Sequence, residues 1–308
     1  MCSAIVFFLA LIAVAAASVL PSVVERDVQT GRVRMMMWFR KNPNMSFKDF
    51  SDHWRLPHTD LFLNTAAVKR NMLKYEQLHV NQEWKQKLIA QGYNVPNFDG
   101  IMIAEAATMD KVLEASRKEL ACFIGHMLTA LLQQCFSNDD YNDIVLPDSF
   151  IFSDMTSAVY GAFDIATSIN KEPNPPAYKV IRTDIKRAVI DFTHKNGQSY
   201  TDFTNYFRNT HTAKINSLIS SSGVGKDITK YEQLTLNSKQ STVPNPFTPM
   251  SGWDAAAQVT GPNFQYLLDN GKNTQFVTLM QQDSPNFVNL ATGYQFIPVD
   301  VVSYQIPK

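Results

Sequence analysis

The chain has 308 residues, 45% of them hydrophobic and 18% charged, with 28 basic side chains balanced by 28 acidic ones. That length accommodates two buried cores, and the even balance excludes the clustered basic surplus of a nucleic-acid-binding protein. Cys2, Cys122 and Cys135 are too few for a disulfide framework and lack metal-ligand spacing, so they read as thiols, with Cys122 and Cys135 free to pair if the chain is secreted.

In chain order, the first feature is the apolar run "AIVFFLALIAVAAA", Ala4 to Ala17. It is short for a membrane span, which needs roughly 20 residues. It has the length of a signal-peptide core, with small residues at Ala15 to Ala17 where cleavage would fall. Residues 1–20 are set aside as a leader that points to the secretory pathway, with a cytoplasmic chain as the alternative, and no stable membrane span is expected. "RVRMMMWF", Arg32 to Phe39, reads as a strand. Asn44 opens a lone glycosylation sequon. "SFKDFSDHWRLPHTDLF" follows, with Ser46 and Asp49 as a capping box and Phe47, Phe50 and Trp54 as one helical stripe. That helix is expected to stop at Pro57, which disfavours helix at Leu56, and a new one to begin beyond His58. "LKYEQLHV" (Leu73 to Val80) and "FDGIMIAEA" (Phe98 to Ala106) read as strands, "TMDKVLEASRKELACF" from Thr108 as a helix, and "TSAVYGAFDIA" (Thr156 to Ala166) as a further strand.

The same plan then recurs. Moved by 153 positions, Ser46, Asp49, Phe50, Arg55, His58 and Thr59 meet Ser199, Asp202, Phe203, Arg208, His211 and Thr212. "KYEQL" at Lys74 returns unchanged at Lys230, Phe98-Asp99 meets Trp253-Asp254, and "DSFIF" at Asp148 meets "DSPNF" at Asp283. "IKRAVIDF" (Ile185 to Phe192) and "YQFIPVDVVSY" (Tyr294 to Tyr304) supply strands of the second copy. We expect an α+β chain of two ferredoxin-like β-α-β-β-α-β units fused as a pseudo-dimeric α/β barrel. The first unit spans residues 31–168, a Pro-rich linker 169–178 and the more divergent second unit 179–308. The first copy carries extra length near Phe123 to Asn138, a stretch that includes His126 and reads as an insertion or an unremoved intron.

His58 leads the candidate catalytic residues. At the start of a new helix, the positive end of the dipole favours neutral imidazole, which is able to act as a general base. A structural histidine is the competing reading. Strand alternation groups Tyr75, Gln77 and His79 on one face and Glu76, Leu78 and Val80 on the other. The first set is expected to line the barrel, with His79 and Tyr75 assisting His58, and with Tyr231 and Gln233 as counterparts. The second copy has Thr235 where the first has His79, so it is expected mainly to close the barrel, with His211 structural. On the first strand, Met35, Met37 and Phe39 should face helices, while Arg34, Met36, Trp38 and Arg40 face the interior. Trp38 and Met36 suit a flat aromatic ligand and Arg40 an enolate or carboxylate. No metal-ligating cluster, phosphate loop or nucleophile elbow is evident, so neither a metal nor a cofactor is expected.

The "HW-x-x-x-H" turn, His53 to His58, and the "V-x-P-D-x-x-x-F-x-D" stretch, Val145 to Asp154, resemble the EthD-domain family over about Arg32 to Ala166, and more weakly over Ile185 to Tyr304. The resemblance implies dimeric α/β barrels that bind small aromatic or polyketide-like ligands. It also implies activities ranging from dehydratase and decarboxylase to oxidoreductase, with the turn histidine in the site. A cofactor-independent lyase using His general acid/base chemistry is the leading expectation. Cofactor-free oxygenation and a non-catalytic ligand-binding barrel are the alternatives.

Overall fold

The computed structural model describes residues 28–108, 111, 144–171, 181–237, 253–304 and 306. The leader, the helix expected after Thr108, the insertion with His126, Cys122 and Cys135, and most of the linker lie outside them.

Eight strands close into a barrel: β1 (Val28–Lys41), β2 (Met72–Val80), β3 (Gly100–Ala106), β4 (Ser153–Asn170), β5 (Ile181–Phe192), β6 (Lys230–Leu236), β7 (Ala255–Gly261) and β8 (Tyr294–Tyr304). Their order around the ring is β1-β3-β2-β8-β5-β7-β6-β4, and all neighbours are antiparallel. Each half supplies four strands, and the β2–β8 and β4–β6 ladders join the halves. Because β1 and β5 stand opposite one another and run the same way, matching positions of the two copies meet at the same end of the barrel. The predicted α+β, two-unit fused barrel is the observed architecture. It leaves no open sheet edge.

Helices cover the outside. The first half carries α1 (Phe47–His53), a π-helical turn (Trp54–His58), α2 (Thr59–Asn64), α3 (Ala66–Asn71), α4 (Gln82–Ala90) and α5 (Leu146–Phe152). The second carries α6 (Tyr200–Asn205), a π-helical turn (Tyr206–His211), α7 (Thr212–Ser222), α8 (Phe264–Lys272) and α9 (Thr274–Asp283), which runs into a 3-10 turn at Ser284–Asn286. Both capping serines accept from the backbone N–H expected of them, Asp49 and Asp202. The helix does not stop at Pro57, contrary to expectation. The chain widens into a π-turn that takes in the proline and continues into α2. In the second copy Thr210 stands where Pro57 does, and the same π-turn forms, so the proline is not its cause. The widened turn frees a carbonyl in each half. Gln77 Nε2 and Thr59 Oγ1 donate to Trp54 O at 2.7 and 3.0 Å. Gln233 Nε2 and Thr212 Oγ1 donate to Phe207 O at 2.7 and 3.2 Å. A π-bulge is held in this way by a glutamine of each "KYEQL" strand.

The packing has three layers. One apolar cluster lies between the first-half strands and their helices (Phe39, Phe50, Trp54, Phe62, Tyr75, Phe152). Another fills the barrel (Met36, Trp38, Leu78, Val80, Ile101, Phe163, Val189, Ile297). A third lies between the second-half strands and their helices (Phe192, Phe203, Phe207, Ile215, Tyr231, Phe287). Gly100 lets the first helix approach, since a Cβ there would meet the Trp54 ring at 2.7 Å. Gly223, at φ 71°, ends α7 in the left-handed conformation.

Below the apolar centre of the barrel sits a buried ion network with the symmetry of the repeat. Arg34 donates to Glu232 across the barrel (2.5 Å) and to Glu105 beside it (2.5 and 3.0 Å). Arg187, its counterpart, donates to Glu76 across the barrel at 3.0 Å and to Thr260 at 3.1 Å. Burial disfavours these charges, but Arg187 holds the Glu76 carboxyl well below the usual range, and Glu232 and Glu105 keep the Arg34 guanidinium firmly protonated.

Candidate functional site

The ion pairs decide which way the "KYEQL" strands face, and they reverse the sequence expectation. Glu76 points inward to meet Arg187, and Leu78 and Val80 fill the barrel. Tyr75, Gln77 and His79 therefore face the helices rather than the interior, as do Tyr231 and Gln233 in the second copy. Hydrophobicity alone assigned the aliphatic residues to the helices, because it gave no weight to a charge partner on the opposite strand. The first strand behaves as expected for Met36 and Trp38, both inside and fully buried. Arg40 is not in the interior. It lies at the rim, 46% exposed, paired to Asp154 at 2.9 Å.

His58 is brought together with Asp148, and its Nδ1 lies 2.9 Å from Asp148 Oδ2. His53 occupies the other carboxylate oxygen at 2.8 Å. Phe152 packs on the His58 ring at 4.7 Å. Burial lowers the His58 pKa against the pull of Asp148, so the neutral form arises from desolvation and not from a helix N-terminus, since the helix runs through this residue. Tyr75 hydroxyl accepts from Trp54 Nε1 (3.3 Å) and Gln77 Nε2 (3.1 Å), and burial pushes its pKa up.

His79 is engaged at both nitrogens. Gln77 Nε2 donates to Trp54 O, which only accepts, so Gln77 Oε1 faces His79 Nε2 at 3.2 Å and accepts from its N–H. Nδ1 then accepts from Ser51 hydroxyl at 2.9 Å. Burial, aided by Arg55, pushes its pKa down to about 3. It is a neutral, fully committed ring packed at 4.6 Å on Trp54.

A cavity of about 300 Å³ lies between the outer face of β5–β8 and helices α7, α8 and α9, at the lower end of the roughly 300–1,000 Å³ of small-molecule sites. Its walls are almost wholly apolar, with Ile190, Phe207, Ile215, Val259, Leu267 and Met280 among them. His211 and Tyr231 both line it. His211 Nδ1 lies 2.6 Å from Asp283 Oδ2 and Nε2 lies 3.1 Å from Tyr231 hydroxyl. A carboxylate only accepts, so Nδ1 carries a proton, and Nε2 is the ring atom that faces Tyr231 hydroxyl. Asp283 is also held by Tyr206 hydroxyl at 2.6 Å and by the Lys214 ammonium. Burial would raise its pKa, but these donors, His211 foremost, hold it down at about 2.

The sequence repeat had paired Asp148 with Asp283 and His58 with His211 without showing that each Asp meets its His. It ranked the first copy above the second because of His79. The cavity was not legible in the repeat, since its apolar walls differ little in pattern from core. Among the described residues no group of three or more His, Cys, Asp or Glu is placed to hold a metal ion, and no helix is long and apolar enough to cross a membrane.

No protein-family profile matches the chain, and no curated protein matches it. Among solved structures, the chain is similar to a provisionally assigned monooxygenase from Fusobacterium nucleatum at a TM-score of 0.51 and 5% identity, over 89% of this chain and 94% of that one. It is equally similar to an anthrone oxidase-like protein, at 0.51 and 7% identity, over 90% and 94%. At these identities the likeness shows the fold, the dimeric α/β barrel, here closed within one chain.

Proposed function

We propose that the chain is an EthD-type enzyme acting on an aromatic or polyketide-like small molecule, and that its chemistry lies in the second-half cavity. One observation carries this reading: an Asp283–His211–Tyr231 series ends at the wall of an apolar cavity. A carboxylate-oriented imidazole beside a desolvated space is suited to take a proton from a carbon next to a carbonyl. In the proposed reaction, Tyr231 turns its hydroxyl toward the substrate carbonyl, and His211 Nε2, so released, removes the proton. The electron pair moves to the carbonyl oxygen as an enolate, which Tyr231 stabilises. The enolate then expels a β-hydroxyl, the imidazolium returns its proton to it, and water leaves as the double bond forms. A proton transfer of this kind requires no cofactor. Asp148–His58 is the counterpart pair in the first half, with Met36 and Trp38 in the barrel wall rather than at the ligand.

A second reading is favoured by the descriptions of the two solved neighbours. The same base would form an aromatic carbanion that molecular oxygen then oxidises. Oxygen uptake separates the two readings. The test is turnover of polyketide-like hydroxyketones and anthrones, followed by mass spectrometry, with His211→Gln as the control. Binding of such compounds with equal product from both proteins would sink the reading. The apolar leader supports secretion as part of this proposal, and sequencing the mature N-terminus checks it.

A further inference from the structure

The second-half cavity is not walled by the second half alone. Trp84, Leu88 and Tyr93, from α4 and the segment after it, belong to the first half and line it as well. They are held there through β8. Asn81 N–H donates to Pro298 O at 2.9 Å and Asn81 Nδ2 to Asp300 at 2.8 Å. Phe296 N–H donates to Asn94 O at 2.9 Å, and the Tyr93 ring meets Phe296 at 5.3 Å. Both ends of this first-half segment are thus pinned to the sheet.

Its long side toward α8 is held differently. Among the described residues, the ring pairs and hydrogen bonds across that seam include Trp84–Phe264 at 5.5 Å and one solvent-exposed hydrogen bond, Lys272 Nζ to Gln91 Oε1 at 2.8 Å. The Phe264 ring also carries Lys186 Nζ 5.8 Å from its centre, and Lys186 is anchored to Asp300. A single ring pair adds little beyond its burial, and an exposed hydrogen bond adds little more. The seam therefore opens more readily than the sheet-anchored ends, and it opens directly onto the cavity lining.

We infer that α4 is the doorway and the length gauge of the cavity: a flat apolar ligand passes between Trp84 and Phe264, and Trp84 with Leu88 and Tyr93 sets how long that ligand can be. The inference rests on the reading of the cavity as the ligand site. It makes the two halves interdependent, because the half that holds the acid–base series borrows its specificity wall from the other.

The test uses the full chain with Cys2, Cys122 and Cys135 changed to Ser, and the neutral fluorescent probe N-phenyl-1-naphthylamine. Gln91→Cys with Lys272→Cys, bridged by a flexible bis-maleimide, should slow probe uptake about tenfold or more, as closing a lid does, while the unbridged double variant keeps the original rate. Trp84→Ala should speed uptake and admit a four-ring hydrocarbon that the parent excludes. Ile215→Trp, which fills the cavity, should abolish binding and so locates the probe. If Ile215→Trp blocks binding but the bridge and Trp84→Ala leave rates and ligand length unchanged, the doorway is elsewhere and the inference falls alone. If the parent binds no probe, or Ile215→Trp leaves binding intact, the cavity reading falls and the doorway with it.

Discussion

Asp148 is shared by two imidazoles, and Asp283 by an imidazole, a phenol and an ammonium. The two carboxylates hold matching places in two copies of one unit, and each fixes the histidine of a π-turn. They differ in what lies beyond the histidine. Each packs on the matching phenylalanine, His58 on Phe152 and His211 on Phe287, both at 4.7 Å, but His211 also reaches Tyr231 hydroxyl at the edge of a cavity. His53 stands where the second copy has Tyr206, and Leu61 where it has Lys214. A duplicated frame has kept its orienting carboxylate in both places while its surroundings have diverged. The number of histidines is a poor guide to where acid–base chemistry can occur, because access and desolvated space matter as much as the base.

The sharpest way to break this comparison is to remove each histidine in turn. His211→Gln should lower turnover about 10²–10⁴-fold, the usual share of a general base, while His58→Gln leaves it within about threefold. The reverse result in steady-state kinetics would move the site to the first half.

A second contrast lies in the barrel. Arg34→Met removes the main partner of two buried carboxylates, leaving Glu105 with Arg32 and Lys74 and Glu232 with Lys230, and should cost about 3–5 kcal/mol in urea unfolding. Arg187→Met should cost less, because it strips one carboxylate rather than two, and Glu76 keeps Lys74 and Ser303. Equal losses would show that the network is not organised as the distances indicate.

Next comes Asp283→Asn, expected to cost about 1–3 kcal/mol for the donors it leaves poorly matched. Its folded pKa lies below the unfolded value of 3.8, so its stabilisation is present above that pH and fades as pH falls toward about 2. Acid titration of the midpoint should therefore be flatter in the variant between those values.

The smallest effect concerns Asp191, fully buried beside the Trp38 indole, with neither carboxylate oxygen in hydrogen-bonding geometry with another of the described residues. Burial raises its pKa well above the ordinary range, opposed only by the Trp38 dipole. The folded chain then keeps a proton that the unfolded chain releases, so stability should fall as pH rises above about 4. Asp191→Asn should remove that slope at little cost below it, as thermal unfolding across pH would show.

Much of the architecture was legible because it repeats. The capping serines, the strands ending at Val80, Ala106, Phe192 and Tyr304, and the two-unit barrel follow from local pattern and duplication. The facing of Tyr75, Gln77 and His79 was not legible, because alternation sorts a strand into two faces without saying which is inward. That choice was made by Arg187 and Arg34, more than a hundred residues away in sequence from their Glu partners. α4, "QEWKQKLIA", gave no apolar stripe to announce it, and its role on the cavity comes from tertiary placement. The π-turn was read as a stop because proline ends most helices. Here the widened turn takes in Pro57, whose missing N–H carries no penalty there.

Arg34 with Glu232, and Arg187 with Glu76, cross the barrel as two strokes of one sign. Each half owns both members of this clasp, so it offers to any copy of itself the same surface it offers to its sibling. A chain severed between its halves would yield fragments able to close rings with their own kind. Two intact chains that traded halves would satisfy every one of these pairs as well, so what favours the solitary ring over the exchanged pair is the high effective concentration of tethered partners, a preference that crowding at synthesis would erode.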